Sequence, residues 1–344
     1  MTGESPETLP PADSQRSASR QVSLAERLKS PRTIISFVLA AAFIFFVFRN
    51  LNLNVVDIFD NILQGNPLWI ALGFAAYYVA FPVRAWRWRT LMKNAGIHDG
   101  SGQPAYAIRP LTEILLLSWF ANCLVPAKLG DAYRGFLLRE RAGVSFASTL
   151  GTIVAERLID VLALVTLITT AALLTFHGTF PSAVRLPLIG GGVLVVAGVA
   201  GLLFVSRYRE VLLRFVPGRF SAPAERLQTG VTASFSRQDW LPVVTATAII
   251  WASEGLRLYC VAAAFGVGLS APEAVFVALL ASLLTVVPLT PAGLGVVESG
   301  AIVALRLLDV SNTNAATIAI VDRGIAYWSV IIVGIVLSII VRRR

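Results

Sequence analysis

The chain has 344 residues, 56% of them hydrophobic and 14% charged, with a mean hydropathy of +0.72 and a formal net charge of +9. Soluble domains carry roughly 25% charged residues, so this composition excludes an ordinary soluble fold and points to a polytopic membrane protein. The positive charge does not mark a nucleic-acid binder, because the arginines flank apolar segments, where cations set topology and meet anionic headgroups.

Residues 1–30 are rich in Ser, Pro, Glu and Arg and lack an apolar period, which reads as a disordered tail ahead of one transmembrane domain, 31–344. The tail is too long and too polar to be a signal peptide. Arg16, Arg20, Arg27, Lys29 and Arg32 precede a first span at 33–48 and place the N-terminus in the cytoplasm. A second span, 68–86, ends in Arg84-Ala85-Trp86-Arg87-Trp88-Arg89. Trp and Arg together there read as an aromatic belt with snorkelling cations, anchors at the inner face rather than ligand groups.

The next apolar segment, 111–125, is short and meets Pro126 and Gly130. A full crossing would put Lys128, Arg134, Arg139 and Arg141 outside, against the charge bias. A chain that enters, breaks and returns keeps them inside, so 111–141 is expected to form a re-entrant hairpin. Pro lacks a donor N–H and Gly tolerates unusual backbone angles, so both suit the break. Asn122 is expected to satisfy the broken backbone. Span 3, 145–176, carries Glu156 and Asp160 on one helical face with Arg157 beside them. Span 4 covers 186–206, and the arginine-dense stretch 207–240 reads as cytoplasmic interfacial helices. Span 5, 242–265, holds Glu254 and Arg257 at i, i+3. A second short segment from residue 273 meets Pro288, Pro291, Gly293 and Gly295 and resumes to residue 308, a second hairpin entered from outside. The last span, 317–341, carries Asp322-Arg323 and stops before arginines that keep the C-terminus inside.

One pattern occurs twice. Pro126-Ala127-Lys128-Leu129-Gly130 continues to Gly135, and Pro291-Ala292-Gly293-Leu294-Gly295 continues to Gly300. Glu156-Arg157 follows the first copy by 30 residues and Asp322-Arg323 the second by 31. This is an internal repeat with a period of about 165 residues. Repeat 1 covers about 68–176, repeat 2 about 241–341, and 207–240 links them. Six spans and two hairpins give the copies opposite orientation, so the expected fold is an all-α membrane protein built as an inverted repeat around broken helices. That architecture places a site near the midplane, at the repeat interface.

Charged residues within spans cost about 2.5–3.5 kcal/mol each on the insertion scale and tend to pair or line a wet cavity. Here Lys128, Asp131, Arg134, Glu156, Arg157, Asp160, Glu254, Arg257, Glu298, Asp322 and Arg323 cluster around the repeat and form the candidate substrate-binding set. Half-helix N-termini and arginine forks suit an anion such as phosphate. The competing role for Glu156-Arg157 and Asp322-Arg323 is purely structural, as ion pairs that hold hairpins to spans. Two cysteines and two histidines, far apart and with no ligand spacing, give no reason to expect a metal, a cofactor or a disulfide framework.

Asn122…Pro126…Gly130-Asp131…Arg134, Glu156-Arg157…Asp160 and Pro291…Gly293…Gly295…Glu298 together resemble the flippase-like transmembrane region of lysylphosphatidylglycerol synthases, over about 33–341. The resemblance implies translocation of an anionic phospholipid or polyprenyl-phosphate-linked lipid across the cytoplasmic membrane, without covalent catalysis. A soluble aminoacyl-transferase domain is not expected in this polypeptide. Two other readings stand beside it: a proton-coupled transporter of a small solute, and a non-catalytic membrane partner of an envelope glycosyltransferase or lipid synthase.

Overall fold

A computed structural model of the chain describes residue 49 and residues 54–98, 107–124, 129–178, 180–208, 217–235, 239–285 and 293–342. The first predicted span at 33–48, Pro126, Lys128, Pro288 and Pro291 lie outside the described residues.

The described chain is helical: α1 (Val55–Gln64), α2 (Pro67–Asn94), α3 (Ile108–Leu124), α4 (Leu129–Ala142), α5 (Phe146–Thr175), α6 (Ser182–Arg207), α7 (Gly218–Ser234), α8 (Trp240–Ala264), α9 (Ala271–Leu284), α10 (Val296–Arg306), α11 (Asn312–Arg323) and α12 (Ser329–Arg342). Residues Gly324–Trp328 form a π-helical turn that joins α11 to α12 into one long rod. Local chemistry sets the starts. Asn66 accepts from Leu68 N–H at 3.0 Å with Pro67 at the first helical position of α2, Ser145 caps α5, and Glu273 reaches back to Ser270 N–H at 2.7 Å to open α9.

Among the described residues, four segments are long and apolar enough to cross a membrane: Pro67–Asn94, Phe146–Thr175, Val184–Phe204 and Asn312–Val341. They match the predicted spans at 68–86, 145–176, 186–206 and 317–341. At 25 residues, α8 is about 37 Å long and so has the reach, although Glu254 and Arg257 interrupt its apolar run. The protein is thus an all-α polytopic membrane protein. α6 buries almost none of its span within the protein, whereas α8 is buried along most of its length.

Helices α2 and α8 form the central pair. Asn66 N–H donates to Ala264 O at 2.9 Å at one end, and Lys93 meets Asp239 at 3.5 Å at the other, so they run antiparallel throughout. Gly73 lets α2 approach α8: a Cβ there would sit 3.3 Å from Ile325 and 3.5 Å from the carbonyl of Arg257. Around this pair the two broken segments interlock with the opposite halves. α3 packs on α2 and α12, where Gly334 admits the ring of Phe120, while α9 packs on α8 and α5, with Phe176 edge-on to Phe276 at 5.3 Å.

α3 and α4 pack on each other across residues 125–128, and α9 and α10 across 286–292. The arginine-dense region folds more closely than an interfacial segment needs to. α7 lies against the first half of α5, where a Cβ on Gly151 would meet Leu227 O at 2.3 Å and one on Gly230 would meet Ser148 O at 2.5 Å.

Candidate functional site

The α3–α4 junction is held by two side chains of α3 bonded to the backbone of Gly130. Asn122 Oδ1 accepts from Gly130 N–H at 2.8 Å, and Ser118 Oγ donates to Gly130 O at 2.7 Å. The first bond satisfies a donor that the helix start cannot satisfy internally. The backbone fits only glycine, since a Cβ on Gly130 would lie 2.0 Å from Ser118 O. In the second junction Gly293 and Gly295 have φ of 72° and 83°, a left-handed region that side chains disfavour. Glu298 Oε2 caps Gly295 N–H at 2.7 Å.

Beside these junctions lie two groups of ion pairs. In the first, Arg157 grips Asp131 with two bonds, Nε–Oδ2 at 2.8 Å and Nη2–Oδ1 at 2.9 Å, and reaches Asp160 at 3.5 Å. Asp160 also accepts from Arg87 at 2.6 Å and 3.1 Å, and Glu156 accepts from Arg87 at 3.0 Å and from Arg134 at 2.7 Å. The order is Asp131–Arg157–Asp160–Arg87–Glu156–Arg134, charges alternating along its length. In the second, Arg84 donates to Glu254 at 2.8 Å, Glu254 pairs with Arg257, and Arg257 grips Asp322 at 2.7 Å and 3.1 Å. Arg323 donates separately to Glu298 at 2.9 Å. Each group holds three guanidinium and three carboxylate groups, so both are neutral.

Aromatic faces complete the shell. Arg84 lies 4.7 Å from the Trp119 ring, Arg134 4.5 Å from Trp88, Arg257 5.2 Å from Tyr77 and Arg323 4.9 Å from Tyr327. A guanidinium removed from water gains most from such a face. Tyr327 also donates to the Cys123 carbonyl near the end of α3 at 3.1 Å, tying the π-helical turn to the first junction.

Of the sequence candidates, Asp131, Arg134, Glu156, Arg157 and Asp160 come together in the first group, and Glu254, Arg257, Glu298, Asp322 and Arg323 in or beside the second. The adjacent acid–Arg pairs do not pair within themselves: Glu156 faces Arg87 and Arg134, and Asp322 faces Arg257. Arg157 and Arg323 instead reach acids in the first turns of α4 and α10. Asn122 and Gly130 meet each other at the first junction.

Arg84 and Arg87 require a correction. They are not interface anchors: both are buried, Arg87 with no exposure at all, and Arg87 bridges two acids of the first group while Arg84 ends the second. Trp88 is buried with them and donates to Thr152 at 3.2 Å, while Trp86 alone of that motif's tryptophans is exposed. A usable signal was present. Arg84 and Arg87 stand at i, i+3, and Glu254 and Arg257 repeat that spacing 170 residues later in the partner span. Thr247, which accepts from Arg87 at 2.9 Å, carried no such signal.

These features define a polytopic helical membrane protein whose broken helices are buttressed by buried, charge-balanced arginine–carboxylate groups. The chain belongs to the family described as the lysylphosphatidylglycerol synthase TM region, whose model matches residues 33–334. It is similar to the UPF0104 membrane protein MJ1078 of Methanocaldococcus jannaschii, 32% identical over 236 residues, which cover 65% of this chain and 95% of that protein. A UPF0104 membrane protein of Methanothermobacter thermautotrophicus is 23% identical over 81% of this chain and 87% of its own length. Glycosyltransferase AglD of Haloferax volcanii is 24% identical over 79% of this chain, and the matched part is 49% of that protein.

Proposed function

We propose that the chain translocates an anionic lipid, a phospholipid or a polyprenyl-phosphate-linked lipid, across the cytoplasmic membrane. The headgroup passes between the α3–α4 and α9–α10 junctions while the hydrocarbon stays in the bilayer. The observation that carries this reading is a dense set of arginines and carboxylates placed beside two helix breaks within apolar spans. Burying so many charges is costly unless they serve a polar path, and ionisable residues at such depth mark substrate routes. The antiparallel α2–α8 pair supports an inverted repeat, in which one junction serves each side of the membrane. Both termini are cytoplasmic in this reading, and no covalent chemistry is assigned to the chain.

Reconstitution into liposomes that carry a fluorescent phosphatidylglycerol tests the proposal directly. Quenching by an impermeant reductant should rise from about half of the label towards all of it. Arg157→Lys and Arg323→Lys should lose this activity while still inserting, because lysine keeps the charge but not the planar fork. Normal transport in both variants would remove these arginines from the path. An inactive wild type that imports a water-soluble solute with protons would replace the lipid reading by a solute carrier.

The match to half of glycosyltransferase AglD favours one second reading, a non-catalytic membrane partner for an enzyme that handles lipid-linked sugars. Co-purification with such an enzyme, and no lipid movement without it, would support that reading over the first.

A further inference from the structure

An anion cannot simply be added to the arginine groups. Each is already neutral, and an extra uncompensated charge in a poorly solvated region costs several kcal/mol. A bound phosphate must therefore displace a carboxylate. The six acids differ in how firmly they are held. Glu156, Asp160 and Glu254 each hold two arginines and are at most 8% exposed, and Asp322 is gripped bidentately at 9%. Asp131 and Glu298 are the most exposed of the six acids, at 15% each, and each holds one arginine. Arg157, the partner of Asp131, is itself 33% exposed.

The two acids occupy matching places. Asp131 stands in the first turn of α4 and reaches Arg157 on α5; Glu298 stands in the first turn of α10 and reaches Arg323 on α11. Glu298 also accepts from Gly295 N–H, so its carboxylate bridges a helix start and a guanidinium, the surroundings an anionic ligand would seek.

Resting on the lipid reading above, we infer that Asp131 and Glu298 are internal stand-ins for the ligand: they fill Arg157 and Arg323 in the unloaded protein, and a lipid phosphate enters by exchanging with one of them. A phosphate offers paired oxygens like the carboxylate it replaces, so Arg157 keeps the two bonds it makes to Asp131 and Arg323 the one it makes to Glu298, and neutrality is restored by the carboxylate that moves away. Exchange at Arg157 removes one of the two ion pairs between α4 and α5 and leaves Arg134–Glu156 as the remaining tie, and exchange at Arg323 removes the Glu298 tie between α10 and α11. Ligand arrival and the loosening of one hairpin are thus the same event.

The inference reverses the sign of an ordinary mutation. Asp131→Asn removes an internal competitor, so binding of dihexanoylphosphatidylglycerol to the purified full chain should tighten, on the order of tenfold. Glu298→Gln should do the same at the other junction, and its amide retains the cap on Gly295, which keeps the test open if Asp131→Asn folds poorly. Spin labels at Phe136→Cys on α4 and Val154→Cys on α5, both exposed positions, report the hairpin. In a background with Cys123→Ala and Cys260→Ala, the lipid should add a longer-distance population, and Asp131→Asn should show it without lipid.

Weaker lipid binding in both acid variants, or an unchanged distance in Asp131→Asn, would overturn the exchange and leave the pairs as structural ties. Inorganic phosphate serves as the second probe. Binding as tight as that of the lipid would keep the exchange but assign it to a solute anion. A wild type that opens on lipid yet does not scramble it would keep the exchange and dismiss translocation.

Discussion

At the scale of single residues, Arg87 shows how burial changes what a charge does. It touches Glu156, Asp160 and Thr247 with no exposure, so its value lies in leaving no partner unpaired. Arg87→Ala should destabilise the protein by about 3–5 kcal/mol, since two carboxylates lose a shared cation. The check is the unfolding midpoint in mild detergent, and a change near zero would mean that the region is solvated. The Arg84–Glu254 pair permits a cleaner experiment, because Arg84 has Glu254 as its carboxylate partner while Arg257 retains Asp322. Arg84→Met alone should be costly, and adding Glu254→Met should recover most of the loss, because replacing both members of a buried pair by apolar groups is often neutral. A double variant as unstable as the sum of the singles would show that the two residues act independently.

At the scale of elements, glycines separate tight contacts from loose ones. Gly130→Ala sets a methyl 2.0 Å from the Ser118 carbonyl, a backbone atom that cannot step aside. Gly300→Ala sets one 2.1 Å from Leu284 Cδ1, the far end of a flexible side chain. Equal overlaps on paper should therefore differ in outcome: about 3 kcal/mol or a failed hairpin for Gly130→Ala, and under 1 kcal/mol for Gly300→Ala. Detergent melting of the two variants in parallel decides it, and similar midpoints would refute the distinction.

The elements also show what the sequence could and could not reveal. Apolar runs of sufficient length announce spans, and Pro or Gly with polar neighbours announces breaks, so four spans and the places where α3 and α9 stop were legible. Arg84 and Arg87 were not. Cations and tryptophans at the end of an apolar run look the same whether they meet headgroups or a partner helix. What decided it was length: α2 continues to Asn94 rather than stopping near Trp86, and a 28-residue helix carries both arginines alongside α8. Pairing was hidden for a related reason. Glu156 and Arg157 are neighbours in sequence, but successive helical residues point about 100° apart and so face different partners.

At the scale of the whole molecule, the two halves are tied in the same way. Each junction's second helix offers a first-turn carboxylate to an arginine on the following span, α4 to α5 and α10 to α11. The acid preceding that arginine meets an arginine from the central pair, Arg87 of α2 for Glu156 and Arg257 of α8 for Asp322. Arg84 and Glu254, which stand three residues before those two, meet each other. This correspondence of ion pairs is what an inverted repeat would produce, with the antiparallel α2 and α8 at its centre and the Arg84–Glu254 contact near its two-fold axis. If the axis lies in the membrane plane, the C-terminus of α4 faces the cytoplasm and the N-terminus of α11 faces outside. In the background lacking Cys123 and Cys260, Glu140→Cys in intact cells should resist an impermeant maleimide and react only after permeabilisation. Ser311→Cys should react in intact cells. Both sites are exposed on the protein, so their labelling reports the side of the membrane rather than burial. Labelling of Glu140→Cys from outside would mean that α3 and α4 cross as separate spans, and the inversion would fall with the hairpin.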